Sequence, residues 1–208
     1  MKIKICGITN ITDAEYAIKK GATHLGFILY SKSPRYCSPK TVAKIIATIP
    51  NSIITVGVFV NDSVNVINSV VEQTGLTCVQ LHGSESIKVC QQITVPVIKA
   101  FRVATAANLN EICNYVGFVD TILLDTYVAG QSGGTGQTFN WNLAVMSKQW
   151  NIPLFLSGGL TPENVIDAIQ FVQPYGVDVA SGTEQSPGKK SQDKLSKFIQ
   201  SIKSLEKN

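Results

Sequence analysis

Eight short apolar runs alternate with segments of helical periodicity along almost the whole chain. Runs of this length, bounded by turn residues and separated by amphipathic helices, are typical of buried strands in a parallel sheet. Doubly wound sheets usually have about five or six strands, whereas a closed (β/α)8 barrel needs eight. We therefore predict an α/β fold with a single (β/α)8-barrel domain over residues 1–208. The predicted strands are residues 2–6, 24–29, 53–60, 77–81, 95–101, 119–125, 152–157 and 176–180.

The segments between these runs carry residues that commonly begin helices, either a polar cap or a proline in the first turn. The helix starts are predicted at Thr12-Asp13, Ser38-Pro39, Asn61-Asp62 and Thr161-Pro162, with a short helix near residues 139–149 and a last amphipathic helix over residues 192–205.

Composition and charge exclude several classes of protein. The chain is 44% hydrophobic and carries a net charge of +4, without a basic stripe that interleaves with aromatic residues. Nucleic acid is therefore not an expected partner, although a small anionic substrate suits the mild basic excess. No apolar run approaches 18 residues and no secretory signal precedes the first strand, so we expect neither a membrane span nor export.

The cysteine pattern favours a reducing, cytoplasmic setting. The chain has an odd number of cysteines, and no Cys-x-x-Cys pair occurs, which argues against a disulfide framework and against a structural zinc site. No metal ligand is predicted. The five cysteines are Cys6, Cys37, Cys78, Cys90 and Cys113.

Strand parity predicts a site at the C-terminal rim of the barrel. Because side chains alternate along a strand, Ile3 and Ile5 suit the helix layer, while Lys4 and Cys6 then point into the barrel, with Cys6 at its mouth. Barrel active sites are built at this rim from strand ends and loops. The same parity directs further polar residues of the fourth, fifth and sixth strands to the rim, namely Gln80, His82, Lys99 and Asp125.

Each of these residues also has a purely structural explanation. A strand cysteine is usually a packing residue, and an aspartate at a strand end is often a helix cap. His82 before Gly83 suits a turn, and Lys4 or Lys99 could neutralise a buried acid. Their convergence at corresponding strand ends favours a functional site.

Two glycine loops after the seventh and eighth strands predict a phosphate site. Glycine lets a phosphate approach backbone N–H groups closely, and barrels commonly bind phosphate at this place. The candidate residues are Gly158 and Gly159 in the first loop and Ser181 and Gly182 in the second. Tight turns without a ligand are the alternative. An earlier glycine-rich loop, residues 130–138, is predicted to be a mobile lid over the mouth.

Several segments together resemble the N-(5′-phosphoribosyl)anthranilate isomerase family of tryptophan biosynthesis. The matching segments are KICGI at 4–8, SPR at 33–35, VGVFVN at 56–61, QLHG at 80–83, LLD at 123–125, GGTGQTFNW at 133–141, SGGLTPENV at 157–165 and GVDVASGTEQSPGKK at 176–190. They span nearly the whole chain in order. The resemblance implies a (β/α)8 barrel that performs an Amadori rearrangement of a phosphorylated aminoaldose and needs no cofactor.

The resemblance also implies roles for individual residues. Cys6 is expected to be the general base and Asp125 the general acid, while Arg35 is expected to meet the anthranilate carboxylate. Gln80 and His82 are expected to contact the substrate, and Gly158, Gly159, Ser181 and Gly182 its phosphate. One departure is Asn140, where the family commonly has aspartate; asparagine caps a helix about as well.

The surroundings of Cys6 and Asp125 should shift the pKa values of both side chains. We expect the apolar run Ile122–Leu124 to raise the pKa of Asp125, and Lys4 and His82 to favour the thiolate of Cys6.

Two rival functions remain open from the sequence. Lys99 could form a Schiff base in an aldolase-type enzyme. Alternatively, the barrel could bind a phosphorylated ligand without catalysis. A second isomerase activity on a related substrate would want two phosphate sites, and the sequence indicates one. A monomer and a homodimer are both compatible with the sequence.

Overall fold

Eight parallel strands pair in sequence order and close on themselves, which confirms the predicted (β/α)8 barrel. The computed structural model describes residues 1–125 and 141–205. The predicted lid loop and Asn140 lie outside the described residues. The strands are β1 Lys2–Cys6, β2 His24–Ile28, β3 Ile54–Phe59, β4 Cys78–Leu81, β5 Val97–Arg102, β6 Thr121–Asp125, β7 Leu154–Leu156 and β8 Gly176–Val179.

Closure depends on the pairing of the first strand with the last. β1 pairs with β2 on one side and with β8 on the other, and the register places Lys4 beside both His24 and Asp178. Two charged residues of opposite sign therefore face each other across the seam of the barrel.

Helical segments follow the strands on the outside of the barrel. Asn10, Ser38 and Ser63 each accept a backbone N–H of the first helical turn that follows them. The third helix is thus capped by Ser63 rather than by the predicted Asn61-Asp62, because only Ser63 lies next to its first turn. The α-helices are α1 Ile11–Lys20, α2 Pro39–Ile46, α3 Val64–Thr74, α4 Ile87–Cys90, α5 Trp141–Ser147, α6 Val165–Val172 and α7 Gln192–Leu205, and 3₁₀ helices cover Ala106–Tyr115, Lys148–Trp150 and Ser181–Thr183.

The buried apolar residues form two separate clusters, as the alternation of side chains along each strand requires. The larger cluster lies between the strands and the helices. The smaller one fills the barrel interior and consists of Val56, Cys78, Ile98, Ala100, Leu123 and Phe155. Cys78 is therefore a packing residue of the barrel interior.

The predicted parity of the fifth strand is wrong. Ile98 and Ala100 face the interior, whereas Val97 and Phe101 belong to the outer cluster. Lys99 consequently points into the helix layer and away from the mouth. Both faces of this strand are apolar, so its hydrophobic pattern does not distinguish inside from outside.

The Lys99 side chain is buried in a complete set of polar partners. Its Nζ donates to the carbonyls of Gly83, Ala100 and Leu81 at 2.7, 3.2 and 3.3 Å, and it lies 3.1 Å from Glu85 Oε2. The Glu85 carboxylate also accepts the backbone N–H groups of Asn61 and Gly83. Lys99 therefore neutralises a buried acid, as its structural explanation predicted, and holds the turn that follows β4.

A cavity of about 230 Å³ lies at the N-terminal end of the barrel, opposite the predicted site. His24 lines it and packs edge-on against Phe155, with ring centroids 5.3 Å apart. Burial lowers the pKa of His24 to about 4, and the positive charges of Lys4 and Lys2 act in the same direction. His24 is therefore neutral in the native state at neutral pH.

The low pKa of His24 predicts a loss of stability in mild acid. An unfolded His24 binds a proton as the pH falls through its ordinary value of 6.5, while the native residue resists protonation down to about pH 4. The free energy of unfolding should fall by up to roughly 3 kcal/mol over this window on account of His24 alone.

Urea unfolding of the wild type and of His24→Gln, each at pH 7 and pH 4.5, measures this contribution. We expect the variant to lose less of its free energy of unfolding between the two pH values. Equal losses in the two proteins would contradict the assignment.

Candidate active site

Polar side chains from β4 and β6 meet at the C-terminal mouth of the barrel. His82 Nε2 lies 3.3 Å from Asp125 Oδ2, and His82 Nδ1 lies 2.8 Å from Gln80 Nε2. The side chains of His82 and Asp125 are 19% and 29% exposed, so both can be reached from the mouth. The structure thus brings together three of the residues that the sequence predicted for the site.

The surroundings of Asp125 differ from the expected apolar seat. Its carboxyl is partly exposed and paired with the imidazole of His82. Ile122 and Leu124 face the helix layer, so only Leu123 lies on the same side of the strand as Asp125. Gln80 Nε2 donates to His82 Nδ1, so the neutral ring carries its proton on Nε2, which faces Asp125 Oδ2 at 3.3 Å. His82 therefore orients the carboxyl. Gln80 Oε1 is buried and has no hydrogen-bond partner among the described residues.

Cys6 ends β1 at the same mouth and lies above a buried ion pair. Lys4 Nζ donates to Asp178 Oδ1 at 2.8 Å, and Ser157 Oγ donates to Asp178 Oδ2 at 3.1 Å. A Cβ atom on Gly26 would lie 2.8 Å from Cys6 Sγ and 3.0 Å from Lys4 Nζ, so the thiol and the ammonium group share the space over this glycine.

Burial and charge act in opposite directions on the thiol. Burial raises the pKa of Cys6, and the carboxylate of Asp178 adds to this, while the ammonium groups of Lys4 and Lys190 act against it. The pKa of Lys4 is itself raised, because Asp178 and Cys6 together outweigh the cost of burying its charge. Lys4 therefore favours the thiolate as predicted, although burial is the larger effect. His82 is paired with Asp125 instead.

Arg35 lies against the turn that follows Cys6. A Cβ atom on Gly7, which adopts a positive φ of 77°, would come within 3.0 Å of Arg35 Cδ. The guanidinium group forms a close ion pair with Glu184, with Nη2 2.8 Å from Oε2. The predicted carboxylate-binding residue is thus adjacent to the predicted base.

The two glycine loops after β7 and β8 are in direct contact. Gly158 and Gly159 both have positive φ angles, of 87° and 66°. In the second loop, a Cβ atom on Gly182 would lie 1.9 Å from the carbonyl oxygen of Leu160, so no larger residue fits there. Ser181 begins a 3₁₀ helix and is exposed. All four predicted phosphate residues therefore lie at the mouth end of adjacent strands.

The helix after the first glycine loop begins later than the sequence suggested. α6 starts at Val165, although Thr161 Oγ1 accepts the N–H of Glu163 and Thr161 O accepts that of Val165. Asn164 Nδ2 donates to Gly159 O and braces the loop. The prediction of Thr161 as the N-cap is therefore wrong: Asn164 holds that position, and Thr161 closes only the turn before the helix.

Three charged residues of this region, Asp178, Glu184 and Lys190, were not predicted from the sequence. Asp178 could have been found from parity, since Val177 and Val179 suit the helix layer and leave Asp178 facing the interior. No local signal marks Glu184 or Lys190. Their positions depend on a short hairpin after β8, formed by β9 Glu184–Ser186 and β10 Lys189–Lys190.

Neither metal nor membrane features occur in the described parts of the chain. Residues 1–125 and 141–205 contain no group of three or more His, Cys, Asp or Glu side chains that could hold a metal ion. No helix in these ranges is long and apolar enough to cross a bilayer.

Comparison with known proteins assigns this geometry to a family. The family model of N-(5′-phosphoribosyl)anthranilate (PRA) isomerase matches residues 3–201. The N-(5′-phosphoribosyl)anthranilate isomerase of Geotalea uraniireducens is 47% identical over 204 residues, which cover 98% of this chain and 99% of the relative.

Solved structures agree with the sequence relatives. The phosphoribosyl anthranilate isomerase of Thermotoga maritima is 43% identical, with a TM-score of 0.93 and coverage of 99% of this chain and 100% of that one. A phosphoribosyl anthranilate isomerase in complex with reduced 1-(o-carboxyphenylamino)-1-deoxyribulose 5-phosphate is 40% identical, with a TM-score of 0.89 and the same coverage. The chain therefore belongs to the N-(5′-phosphoribosyl)anthranilate isomerase family.

Proposed function

We propose that the mouth of this barrel converts N-(5′-phosphoribosyl)anthranilate into 1-(2-carboxyphenylamino)-1-deoxyribulose 5-phosphate by an Amadori rearrangement in tryptophan biosynthesis. The observation that carries the proposal is the thiol of Cys6 and the carboxyl group of Asp125 at the same mouth of the barrel. Lys4 lies beside the thiol, and His82 lies beside the carboxyl group. The family match and the relative that binds a reduced product analogue support the same reaction.

The first step is proton transfer from Asp125 to the ring oxygen of the ribose. This transfer breaks the bond between C1′ and the ring oxygen and leaves a Schiff base between C1′ and the aryl nitrogen. His82 lies 3.3 Å from the carboxyl and holds it in place for the transfer. A well-positioned acid or base contributes about 10²–10⁴-fold to the rate.

The second step is removal of the C2′ proton by the thiolate of Cys6. The electrons of the C2′–H bond form the C1′–C2′ double bond of an enolamine, and those of the C=N bond return to nitrogen. The enolamine becomes the ketone when the hydroxyl on C2′ loses its proton and C1′ takes up the proton held by Cys6. C1′ is thereby reduced and C2′ oxidised within one molecule, so atoms and electrons balance without an external redox partner. The ammonium group of Lys4 stabilises the thiolate before it takes up this proton.

Both ends of the substrate must be fixed for these transfers. We place the phosphate at Gly158, Gly159, Ser181 and Gly182, and the ring carboxylate at Arg35. Anchoring a substrate at two ends confines the reacting carbon atoms between acid and base, which removes much of the entropic part of the barrier. The expected contacts of Gln80 and His82 with the substrate belong to the same proposal.

The aldolase-type rival loses its premise, because Lys99 Nζ lies in the helix layer and is saturated by three carbonyls and Glu85. A non-catalytic binder would not need the Cys6 and Asp125 arrangement. We propose further that residues 1–208 form one domain, that the enzyme is cytoplasmic, and that it works as a monomer or homodimer on a small phosphorylated substrate.

The direct test is a fluorescence assay of phosphoribosylanthranilate consumption by the purified protein. We expect turnover without added metal or cofactor. Ligand-induced stabilisation of the protein without turnover would identify the non-catalytic binder instead.

Replacement of the base tests the assignment of Cys6. Cys6→Ser should lose about 10²-fold or more of kcat, because a serine hydroxyl ionises far less readily than a thiol, with little change in KM. Cys78→Ser is the matched control, since Cys78 is buried in the barrel interior below the mouth. Near-normal turnover of Cys6→Ser would remove Cys6 from the mechanism.

Replacement of a loop glycine tests the phosphate site. A Cβ atom in Gly182→Ala would collide with Leu160 O and force the two loops apart, so KM and the inhibition constant of inorganic phosphate should both rise by about tenfold or more. Gly117→Ala is the control for a general loss of stability, because the positive φ of Gly117, 81°, strains an added Cβ, while the residue lies before β6 and no heavy atom lies within 4 Å of that Cβ. An unchanged inhibition constant for phosphate in Gly182→Ala would place the phosphate elsewhere.

A further inference from the structure

A buried carboxylate stands directly behind Arg35. The side chain of Glu184 is 4% exposed and accepts three hydrogen bonds from the guanidinium group. Arg35 Nε lies 2.9 Å from Oε1 and 3.0 Å from Oε2, and Nη2 lies 2.8 Å from Oε2. Among the described residues, Arg35 Nη1 has no hydrogen-bond partner. Glu184 thus occupies one edge of the guanidinium fork and leaves another edge for a second carboxylate.

The charge of Glu184 is balanced by Lys190, which lies further inside the protein. Lys190 Nζ is buried 3.5 Å from Glu184 Oε1, and the backbone N–H of Gly188 donates to the same oxygen. The ion pairs with Arg35 and Lys190 keep the pKa of Glu184 below its ordinary value despite burial. Two cations and one anion leave the cluster with a net positive charge, so it can still attract a substrate carboxylate.

The same cluster touches the catalytic thiol's own backbone. Lys190 Nζ donates to Cys6 O at 2.6 Å and to Ala180 O at 3.0 Å. A Cβ atom on Gly7, the residue after Cys6, would lie 3.4 Å from Glu184 Oε1. The position of Arg35 is therefore fixed relative to Cys6 through Glu184 and Lys190.

We propose that Glu184 is a positioning residue that holds Arg35 for the ring carboxylate of the substrate and so makes the enzyme selective for a carboxylated arylamine. This inference rests on the proposed function. Arginine recognises carboxylates through two parallel hydrogen bonds, and the geometry of that contact is lost when the fork can rotate. Holding the fork in advance lowers the cost of ordering it when the substrate binds.

Two other roles for Glu184 predict different results. If Glu184 only stabilises the hairpin, its loss should weaken binding of ligands with and without the ring carboxylate alike. If Glu184 instead competes with the substrate for Arg35, its removal should strengthen binding of the carboxylated ligand, because a like charge is gone.

The test uses two reduced product analogues, one with the ring carboxylate and one without it. Calorimetry gives Kd for each, and the selectivity is the ratio of the Kd of the analogue that lacks the carboxylate to the Kd of the one that carries it. Reduced analogues bind without reacting, so the selectivity is measured independently of turnover. The activity of the wild type toward phosphoribosylanthranilate, assayed separately, tests the proposed function itself.

The variants are Glu184→Gln, Arg35→Met and the double variant. We expect Glu184→Gln to lower the selectivity about tenfold, through weaker binding of the carboxylated analogue alone. In the Arg35→Met background, Glu184→Gln should change the selectivity by less than about twofold, because the group through which it acts is gone.

A second comparison of variants separates the positioning of Arg35 from the stability of the fold. Glu184→Gln leaves Lys190 buried without a full countercharge and should unfold more easily, whereas Glu184→Gln with Lys190→Met removes both charges and should recover part of that loss. We expect the selectivity to stay low in the double variant although stability returns. The inference would be overturned if the selectivity of Glu184→Gln were unchanged or increased. It would also be overturned if the selectivity fell equally in the Arg35→Met background, or if it recovered together with stability in the variant that also carries Lys190→Met.

Discussion

The ion pair between Lys4 and Asp178 is the interaction on which the site depends. It is buried at the seam between β1 and β8, where the barrel closes, and Ser157 completes the partners of the carboxylate. A buried pair of this kind contributes little net stability, but the loss of either partner would leave an isolated charge in the interior. The same ammonium group lies beside Cys6 and opposes the effect of burial on its pKa. One contact thus serves barrel closure and acts on the ionisation of Cys6.

The second buried pair, Lys99 with Glu85, lies on the other side of the sheet. From the helix layer, the two residues hold the turn that follows β4. Glu85 accepts the backbone N–H of Gly83, which comes directly after His82. Two lysines of similar local sequence therefore serve different layers. The interior lysine acts on the thiol of Cys6, and the outer one supports the turn that follows the imidazole paired with Asp125.

Strand and helix periodicity predicted the barrel, because each strand and most helices carry their own local signal. Parity also predicted the inward positions of Cys6, Gln80 and Asp125, since their neighbours along the strand are clearly apolar. It misplaced Lys99 because both faces of β5 are apolar and only the register with neighbouring strands sets its orientation. Glu184 and Lys190 could not be predicted, as their contacts with Arg35 and Cys6 join segments 149 and 184 residues apart in the chain.

The seam has a consequence for how the chain acquires its activity. Lys4 and Asp178 are separated by 174 residues, so the first strand to leave the ribosome waits for the last before its buried charge is neutralised. Any shorter fragment that ends before β8 would have to bury the Lys4 ammonium alone, which is strongly unfavourable. Incomplete chains are thereby kept from closing a barrel that resembles the finished one. The candidate site is complete only when β1 and β8 meet, so enzymatic turnover reports that the first and the last strand of the barrel have paired.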